Sequence, residues 1–350
     1  MKNKNLMIGL ICLVVLVVVF FMTTKSQKPE EQQKFEIITI GNGFRPSWSP
    51  DGKKLAFMQQ DSLCILSADG KGDIKKIARL EPPVFEWMSD SELVIWQNRY
   101  LSSGGKRPRE EQKIEVVNVN GKKTLVQEQL IDKQEKTYVT LGYPFVLNDG
   151  TVGYYKNHYK PEGMTRFFKI IKEGKLEPEQ AKKQLLVFIN PPPEGGIRLE
   201  SVDGSKGNQI STERKFLNPQ LSPDGKKILV MEELDFDTTD LAIIYLDSNK
   251  VTNLNVSCAE VSPGVFARGA FSLAKWSPDS KQILDTWYIR EIYEGEMVPV
   301  DLYLINAEDG TKKRITHTSE IHENRPEWSP DGTRIVCGTL DGKVLVIRIK

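Results

Sequence analysis

The chain contains few side chains that could take part in catalysis or metal binding. Among its 350 residues there are three histidines, and only the segment from His317 through His322 to Glu323 concentrates metal-ligating residue types. Neither the spacing of a strand nor that of a helix would bring these side chains to one face. We therefore expect a structural connection there, without a metal ion.

The sequence also lacks the usual signatures of catalytic and cofactor sites. It has no G-x-S-x-G, P-loop, G-x-G-x-x-G or H-E-x-x-H motif and no cysteine pair at metal-ligand spacing. Asp235, Asp237 and Asp240 lack the glycine and the terminal glutamate of a calcium-binding loop, and we expect them in a solvated acidic loop. The sequence therefore predicts no cofactor, no metal and no enzymatic activity.

Binding residues are easier to propose than catalytic ones. Arg45 and Arg325 each lie three residues before a tryptophan of the same short motif, at Trp48 and Trp328. Equal positions in a repeat predict equal positions in the fold, so both guanidinium groups should point to one surface. The residues predicted to share that surface are His322, Glu323, Asn324 and Lys275.

Six copies of the motif must position these residues. Each copy has a bulky apolar residue, two small or turn-forming residues and an aspartate, which is usually followed by glycine. The bulky residues are Trp48, Trp87, Val146, Leu221, Trp276 and Trp328, and the aspartates are Asp51, Asp90, Asp149, Asp224, Asp279 and Asp331. Proline, aspartate and glycine in this order favour a tight hairpin turn, and a run of β-forming residues follows.

The repeats predict an all-β fold, a six-bladed β-propeller. A unit of about 40 residues with insertions is typical of a propeller blade of four antiparallel strands. The last repeat, from Arg325, has only three strands, while the segment from Phe35 to Ile40 precedes the first repeat. We expect this early strand to complete the last blade, because a closed ring leaves no open sheet edge. Residues 157–196 should form a helical insertion.

In such a ring, the connections into the inner strands gather at one end of a central channel. Arg45 and Arg325 should therefore lie at the channel mouth, where they could bind a peptide segment or a small anionic ligand. Glu86, Lys275 and Glu327, each one residue before a tryptophan, could face the channel or the blade interface. The alternative is that both arginines pair with carboxylates and only hold blades together.

The motif resembles a known repeat family. The segments from Arg45 to Phe57 and from Arg325 to Gly332 are similar to the WD40-like repeat of the TolB-type propellers, which also occurs in the propellers of prolyl oligopeptidase-like proteins. The resemblance covers most of residues 35–350. It implies a propeller that serves as a partner-binding scaffold, a substrate gate or a sensor.

The amino terminus predicts a membrane anchor. Residues 6–24 carry no charge and are flanked by lysines. A helix of this length is just long enough to cross a bilayer core of about 30 Å. We expect residues 1–25 to be an uncleaved signal-anchor and residues 26–34 a polar linker. The distribution of positive charge predicts a cytoplasmic amino terminus and a periplasmic or extracellular propeller, single-pass in the cell membrane. A cleaved leader and a lipoprotein signal are the alternatives.

Charge and cysteine content add two constraints. The formal net charge is +1, and residues 1–34 contribute five lysines and two glutamates, so residues 35–350 carry about −2. Such a balance argues against nucleic acid as a partner.

Outside the anchor the cysteines are Cys64, Cys258 and Cys337, an odd number, and we expect Cys64 and Cys337 to be buried thiols.

Three functions remain compatible with the sequence. The first is a membrane-anchored extracytoplasmic scaffold or sensor that binds a protein or peptide partner. The second is a propeller enzyme, a hydrolase or lyase, with a site at the channel mouth. The third is an accessory subunit that gates substrates to a separate peptidase. Because the catalytic signatures are missing, the sequence favours the first.

Overall fold

The computed structural model describes fifteen segments of the chain, and the unit from Glu36 to Ile349 is compact. The described segments are residues 35–81, 84–101, 109–132, 135–147, 150–172, 185–189, 197–201, 207–210, 214–235, 238–256, 258–262, 265–268, 274–287, 301–316 and 323–349. The predicted anchor and linker, His317, His322, Asp149 and Asp237 lie outside them. The described segments include no helix that is both long and apolar enough to span a membrane.

The first half of the described chain forms one closing strand and three four-stranded sheets. The strands are β1 (Glu36–Asn42); β2 (Phe44–Trp48), β3 (Lys54–Gln59), β4 (Ser62–Ser67) and β5 (Lys75–Arg79) in blade one; β6 (Val84–Ser89), β7 (Glu92–Leu101), β8 (Arg109–Asn118) and β9 (Lys123–Ile131) in blade two; and β10 (Tyr138–Leu141), β11 (Phe145–Val146), β12 (Val152–Lys160) and β13 (Gly163–Lys172) in blade three.

The second half adds three more such sheets and two smaller ones. The strands are β14 (Leu185–Ile189), β15 (Ile197–Ser201) and β16 (Gly207–Ile210) in a three-stranded sheet; β17 (Lys215–Leu221), β18 (Lys227–Asp235), β19 (Thr238–Tyr245) and β20 (Val251–Asn253) in blade four; β21 (Cys258–Ser262) and β22 (Val265–Arg268) in a hairpin; β23 (Lys275–Trp276), β24 (Gln282–Trp287), β25 (Asp301–Asn306) and β26 (Lys312–Arg314) in blade five; and β27 (Glu323–Trp328), β28 (Arg334–Thr339) and β29 (Lys343–Arg348) in blade six.

The predicted closure of the ring is confirmed. Strand β1 pairs antiparallel with β29 and completes blade six, with Ile37 opposite Ile347 and Ile38 opposite Val346. The order β1-β29-β28-β27 joins residues from the two ends of the compact unit in one sheet. The blade thus has its fourth strand, and β29 is not left as an open edge.

Motif tryptophans pack between neighbouring sheets. Trp48 shares a hydrophobic cluster with Val336 and Val346 of blade six, and Trp87 shares one with Ile65 and Ile77 of blade one. Burial of such large side chains contributes on the order of 1.5–3 kcal/mol each. Contact between blades, rather than a single central core, therefore holds the ring together.

The predicted helical insertion in residues 157–196 is wrong where the structure describes it. The run from Arg166 to Lys172 belongs to β13, which forms a hairpin with β12 around a two-residue loop at Pro161 and Glu162. Strand β14 takes Leu185 to Ile189, and residues 173–184 and 190–196 lie outside the described residues. The segment from Ile197 to Ser201 forms β15 and pairs with β14.

The aspartates of the motif close the turns with the help of a serine. In blade five, Ser277 Oγ donates to Asp279 Oδ1 at 2.6 Å and accepts a hydrogen bond from the Gln282 amide at 2.9 Å, while the Lys281 amide donates to Asp279 at 3.1 Å. The same serine–aspartate pair recurs in three other blades, as Ser49 and Asp51, Ser222 and Asp224, and Ser329 and Asp331. The hydrogen bond from Ser277 lowers the pKa of Asp279.

Candidate functional site at the channel mouth

A repeated irregularity of the inner strands positions the two arginines. Arg45, Arg325 and Asn218 each lie three residues before the bulky motif residue, and all three have a left-handed backbone, with φ of 52°, 49° and 48°. The strand pairing shifts register at these points, between Phe44 and Ser47 in blade one and at the equivalent sites in blades four and six. These bulges bend the inner strand and re-aim its side chains.

Glu86 and Glu327, each one residue before a motif tryptophan, both lie within electrostatic range of Lys275, which has the same place before Trp276. Glu86 in blade two is influenced electrostatically by Lys275 of blade five and by Arg45 of blade one. Blades two and five lie opposite each other in a ring of six, so the charge of Lys275 acts on Glu86 across the central channel. Glu86 is exposed to solvent although protein surrounds it, as expected in a narrow channel, and burial raises its pKa.

Arg45 and Arg325 lie next to each other at this channel mouth. Burial lowers the pKa of Arg45, and the positive charge of Arg325 lowers it further, whereas Glu86 and Tyr143 oppose the change. Arg45 is half-buried and Arg325 is exposed. Within the described residues, neither guanidinium group has a carboxylate within ion-pair distance, which is 4.0 Å or less. Their charges are therefore available to a ligand.

Glu327 connects the channel to the contact between blades six and one. Its Oε1 accepts hydrogen bonds from Ser47 Oγ at 3.1 Å and from the Trp48 amide at 3.2 Å, and its carbonyl oxygen accepts one from the Trp48 indole at 3.2 Å. Burial raises the pKa of Glu327 to about 7, and the nearby carboxylate of Glu86 contributes to the rise. Glu327 is thus a titrating group at neutral pH inside the channel.

Gln220, which has no charge, accepts the same two hydrogen bonds from a tryptophan of the next blade. In blade four its Oε1 accepts a hydrogen bond from the Trp276 amide at 3.1 Å, and its carbonyl oxygen accepts one from the Trp276 indole at 3.2 Å. Contact between these blades therefore requires an acceptor at this position and does not require a carboxylate. At the junction of blades six and one, Glu327 adds a carboxyl group to the same hydrogen-bond arrangement.

The other predicted mouth residues have different surroundings. Lys275 is exposed and acts on both Glu86 and Glu327, so it belongs to the channel cluster. Glu323 is only 1 % exposed, and Asn324 pairs with Gly338 in the sheet of blade six. His322 lies outside the described residues. The prediction that these residues bind a partner stays a prediction.

Two further sequence interpretations concern residues away from the mouth. The acidic loop was predicted to be solvated, but Asp240 is buried and accepts hydrogen bonds from the Leu241 and Val256 amides at 2.7 and 2.9 Å. Cys64 and Cys337 are buried free thiols, as predicted. In the part of the chain that the structure describes, no group of three or more histidine, cysteine or acidic side chains could hold a metal ion.

Sequence reasoning missed an aromatic contribution to this end of the ring. Tyr143, three residues before Val146 in blade three, occupies the position that Arg45 has in blade one, and it is 60 % exposed. Its ring meets Trp96 edge-on, with the centroids 4.7 Å apart. The spacing to Val146 was the signal that could have found it, because the same three-residue offset identified the arginines.

Comparison with solved structures shows the same architecture. The propeller superimposes on a puromycin hydrolase, an S511A mutant complexed with PGG, with a TM-score of 0.51 and 13 % identity; the match covers 85 % of this chain and 50 % of that one. The chain is a six-bladed β-propeller. Its predicted resemblance to TolB-type and oligopeptidase-like propellers is confirmed at the level of the fold.

Two other solved propellers were found at lower similarity. A TolB protein from Agrobacterium tumefaciens matches with a TM-score of 0.44 and 16 % identity over 90 % of this chain and 96 % of that one. An oligogalacturonate lyase in complex with manganese matches with a TM-score of 0.40 and 14 % identity over 89 % and 77 %. No protein-family model and no curated protein matches the sequence.

Proposed function

We propose that the protein is a membrane-anchored, extracytoplasmic TolB-like propeller that serves as a non-enzymatic protein-interaction scaffold or sensor. The observation that carries the proposal is the pair of arginines at the channel mouth. Arg45 and Arg325 come from adjoining blades, the charge of Arg325 contributes to the lowered pKa of Arg45, and neither has a carboxylate at ion-pair distance among the described residues. An acidic segment of a partner protein would supply the missing negative charge.

The backbone at these positions supports a role for the side chains. A left-handed conformation is uncommon for arginine, whereas asparagine and glycine adopt it readily. Blade four has asparagine at the equivalent position, Asn218, with nearly the same φ. Arginine at positions 45 and 325 is therefore not what the bulge itself favours, and we ascribe it to ligand binding.

Membrane attachment and orientation rest on the sequence. The uncharged stretch of residues 6–24 would place the propeller in the periplasm or outside the cell, facing a partner in the same compartment. A membrane-impermeant cross-linker applied to intact cells therefore provides a direct test. It should couple the propeller to its partner without lysis, and labelling only after lysis would contradict the orientation.

The binding role is tested by the double variant Arg45→Asn/Arg325→Asn, assayed by the same cross-linking. Asparagine keeps the left-handed backbone and removes both charges, as Asn218 does in blade four. We expect at least about a tenfold loss of the cross-linked partner, equivalent to about 1.4 kcal/mol, with an unchanged unfolding temperature. The matched control is Lys76→Asn/Arg79→Asn on the outer strand of blade one, which should keep the partner.

The opposite pattern would identify a purely structural role. If the arginines only hold the blades together, the variant should unfold at a lower temperature while partner capture persists. That result would overturn the binding proposal.

A further inference from the structure

A cavity of about 520 Å³ lies beside the channel mouth, between blades two and three. Its walls include three tyrosines and a tryptophan, which are Tyr138, Tyr143, Tyr159 and Trp96. The volume is within the range of small-molecule and peptide side-chain sites, and half of the lining residues are aromatic. We call this cavity the tyrosine pocket.

The aromatic rings of the tyrosine pocket are held in fixed positions. Tyr138 and Tyr159 stack with their centroids 4.7 Å apart and an angle of 15° between the rings. Trp96 is buried, and its indole donates to the Leu141 carbonyl at 3.1 Å. The Leu141 amide in turn donates to Gln112 Oε1 at 2.8 Å. A ligand would thus meet a preorganised surface, which reduces the entropic cost of binding.

Tyr143 connects the tyrosine pocket to the channel mouth. Its ring packs edge-on against Trp96 inside the pocket, and its phenol is an electrostatic neighbour of Arg45. Tyr143 thus lines the pocket and is within electrostatic range of Arg45, so the aromatic residues lie near the cationic ones.

We propose that the tyrosine pocket binds a proline-containing, extended segment of the partner, with acidic residues of the same segment at Arg45 and Arg325. Aromatic grooves recognise polyproline segments because the proline rings pack on flat aromatic faces and the extended chain loses little entropy. Tyrosine hydroxyls can donate to the unpaired carbonyls of such a chain. The two arginines select the acidic neighbour. The inference rests on the proposed function and names its ligand class.

Three labelled peptides test the two ends of the surface separately, by fluorescence anisotropy with the full-length protein in detergent. The first is a capped, neutral hexaproline; the second is hexaproline joined through Gly-Ser to three aspartates; the third has a Gly-Ser repeat in place of the prolines. We expect the second to bind most tightly, since it engages both ends.

Variants at the two ends of the surface should weaken the binding of different peptides. Tyr143→Ala should weaken both proline peptides at least about fivefold and leave the third unchanged, because the exposed ring contributes binding area rather than core packing. Tyr143→Phe, which keeps the ring, should bind like the wild type. Arg45→Asn/Arg325→Asn should weaken the two acidic peptides and not the neutral one.

The failures are distinguishable. If the Gly-Ser acidic peptide binds and hexaproline does not, or if Tyr143→Ala binds hexaproline unchanged, the tyrosine pocket proposal is overturned while the mouth remains. If hexaproline binds and the acidic end adds nothing, the role of the arginines is overturned while the pocket remains.

Discussion

At the scale of single residues, Glu327 is a buried carboxyl group whose charge changes near neutral pH. Its pKa is raised from the ordinary value of 4.5 to about 7 in the folded protein, so the folded state holds a proton that the unfolded state has released. Unfolding free energy then falls as pH rises between these two values. Glu86, whose pKa is also raised by burial, acts in the same direction.

The variant Glu327→Gln should remove most of this pH dependence. A shift of about 2.5 pH units corresponds to an upper limit of about 3 kcal/mol, so the variant should be more stable than the wild type at pH 8 by about 1–3 kcal/mol and similar at pH 5. Glutamine already makes the equivalent hydrogen bonds as Gln220 in blade four. Urea unfolding at a series of pH values measures the difference.

An exposed carboxylate is the matched control for this substitution. Glu81→Gln changes the same functional groups at the protein surface and should leave the difference between pH 5 and pH 8 as in the wild type. Equal pH profiles for the wild type and Glu327→Gln would show that Glu327 does not retain its proton in the folded state.

The residues of the site were only partly predictable. Arg45 and Arg325 were found because the motif repeats and equal offsets occupy equal places, and Lys275 followed from the same reasoning. That Glu86 and Lys275 meet across the axis depends on ring closure and on the direction of each side chain, which no local pattern encodes. Tyr143 was missed because its copy of the motif begins with valine and lacks the tryptophan.

At the scale of secondary-structure elements, the serine after the bulky motif residue fixes the turn in the four blades that have it. Ser277→Ala should lower the unfolding free energy by about 1–3 kcal/mol, because Asp279 loses its hydroxyl donor and the Gln282 amide loses its side-chain acceptor in a buried site. Calorimetry or urea unfolding gives the value. Ser91→Ala, at an exposed position of the turn in blade two, should have almost no effect.

The double variant Ser277→Ala/Asp279→Ala separates a shared network from independent contacts. If serine and aspartate act as one unit, the double variant should cost clearly less than the sum of the single substitutions. Additive costs would mean that the two side chains stabilise the turn separately.

A second contact between elements was not predicted from sequence. Arg334 of blade six donates to the Gly52 carbonyl at 2.8 Å and lies 4.5 Å from the centre of the Trp48 ring, and Lys227 stands similarly over Trp276 at 5.5 Å. Both cations follow the motif aspartate by three residues, so the repeat placed them at equivalent positions. Their contact with a tryptophan could not be predicted, because it depends on the next blade bringing its tryptophan ring to the cation.

The prediction of strands was correct where the motif determines them and wrong in the segment from Arg166 to Lys172, where it does not. Turns such as that around Asp279 are closed by residues a few positions apart, so local sequence suffices. The segment from Arg166 to Lys172 has a composition compatible with either helix or strand, and pairing with β12 decides between them. Such pairing is a tertiary effect that overrides weak local preference.

At the scale of the whole molecule, the pairing of β1 with β29 joins the two ends of the compact unit in one sheet. Glu36 and Arg348 lie opposite each other in this pair and form an exposed ion pair at 2.8 Å. An exposed ion pair contributes little, about 0–1 kcal/mol, so its replacement is well tolerated. The apolar residues beside it, such as Ile347 and Val346, supply most of the closing contact.

A disulfide at this position should stabilise the ring strongly. The variant Glu36→Cys/Arg348→Cys would close a loop of more than 300 residues, for which loss of chain entropy in the unfolded state predicts up to about 5–6 kcal/mol. Residues directly opposite in an antiparallel pair are close enough for the bond to form. We expect the oxidised variant to unfold at a higher temperature than its reduced form, with each single-cysteine variant insensitive to reductant. Equal unfolding temperatures in a variant shown to be oxidised would contradict this prediction and would mean that strain in the folded state offsets the lost chain entropy.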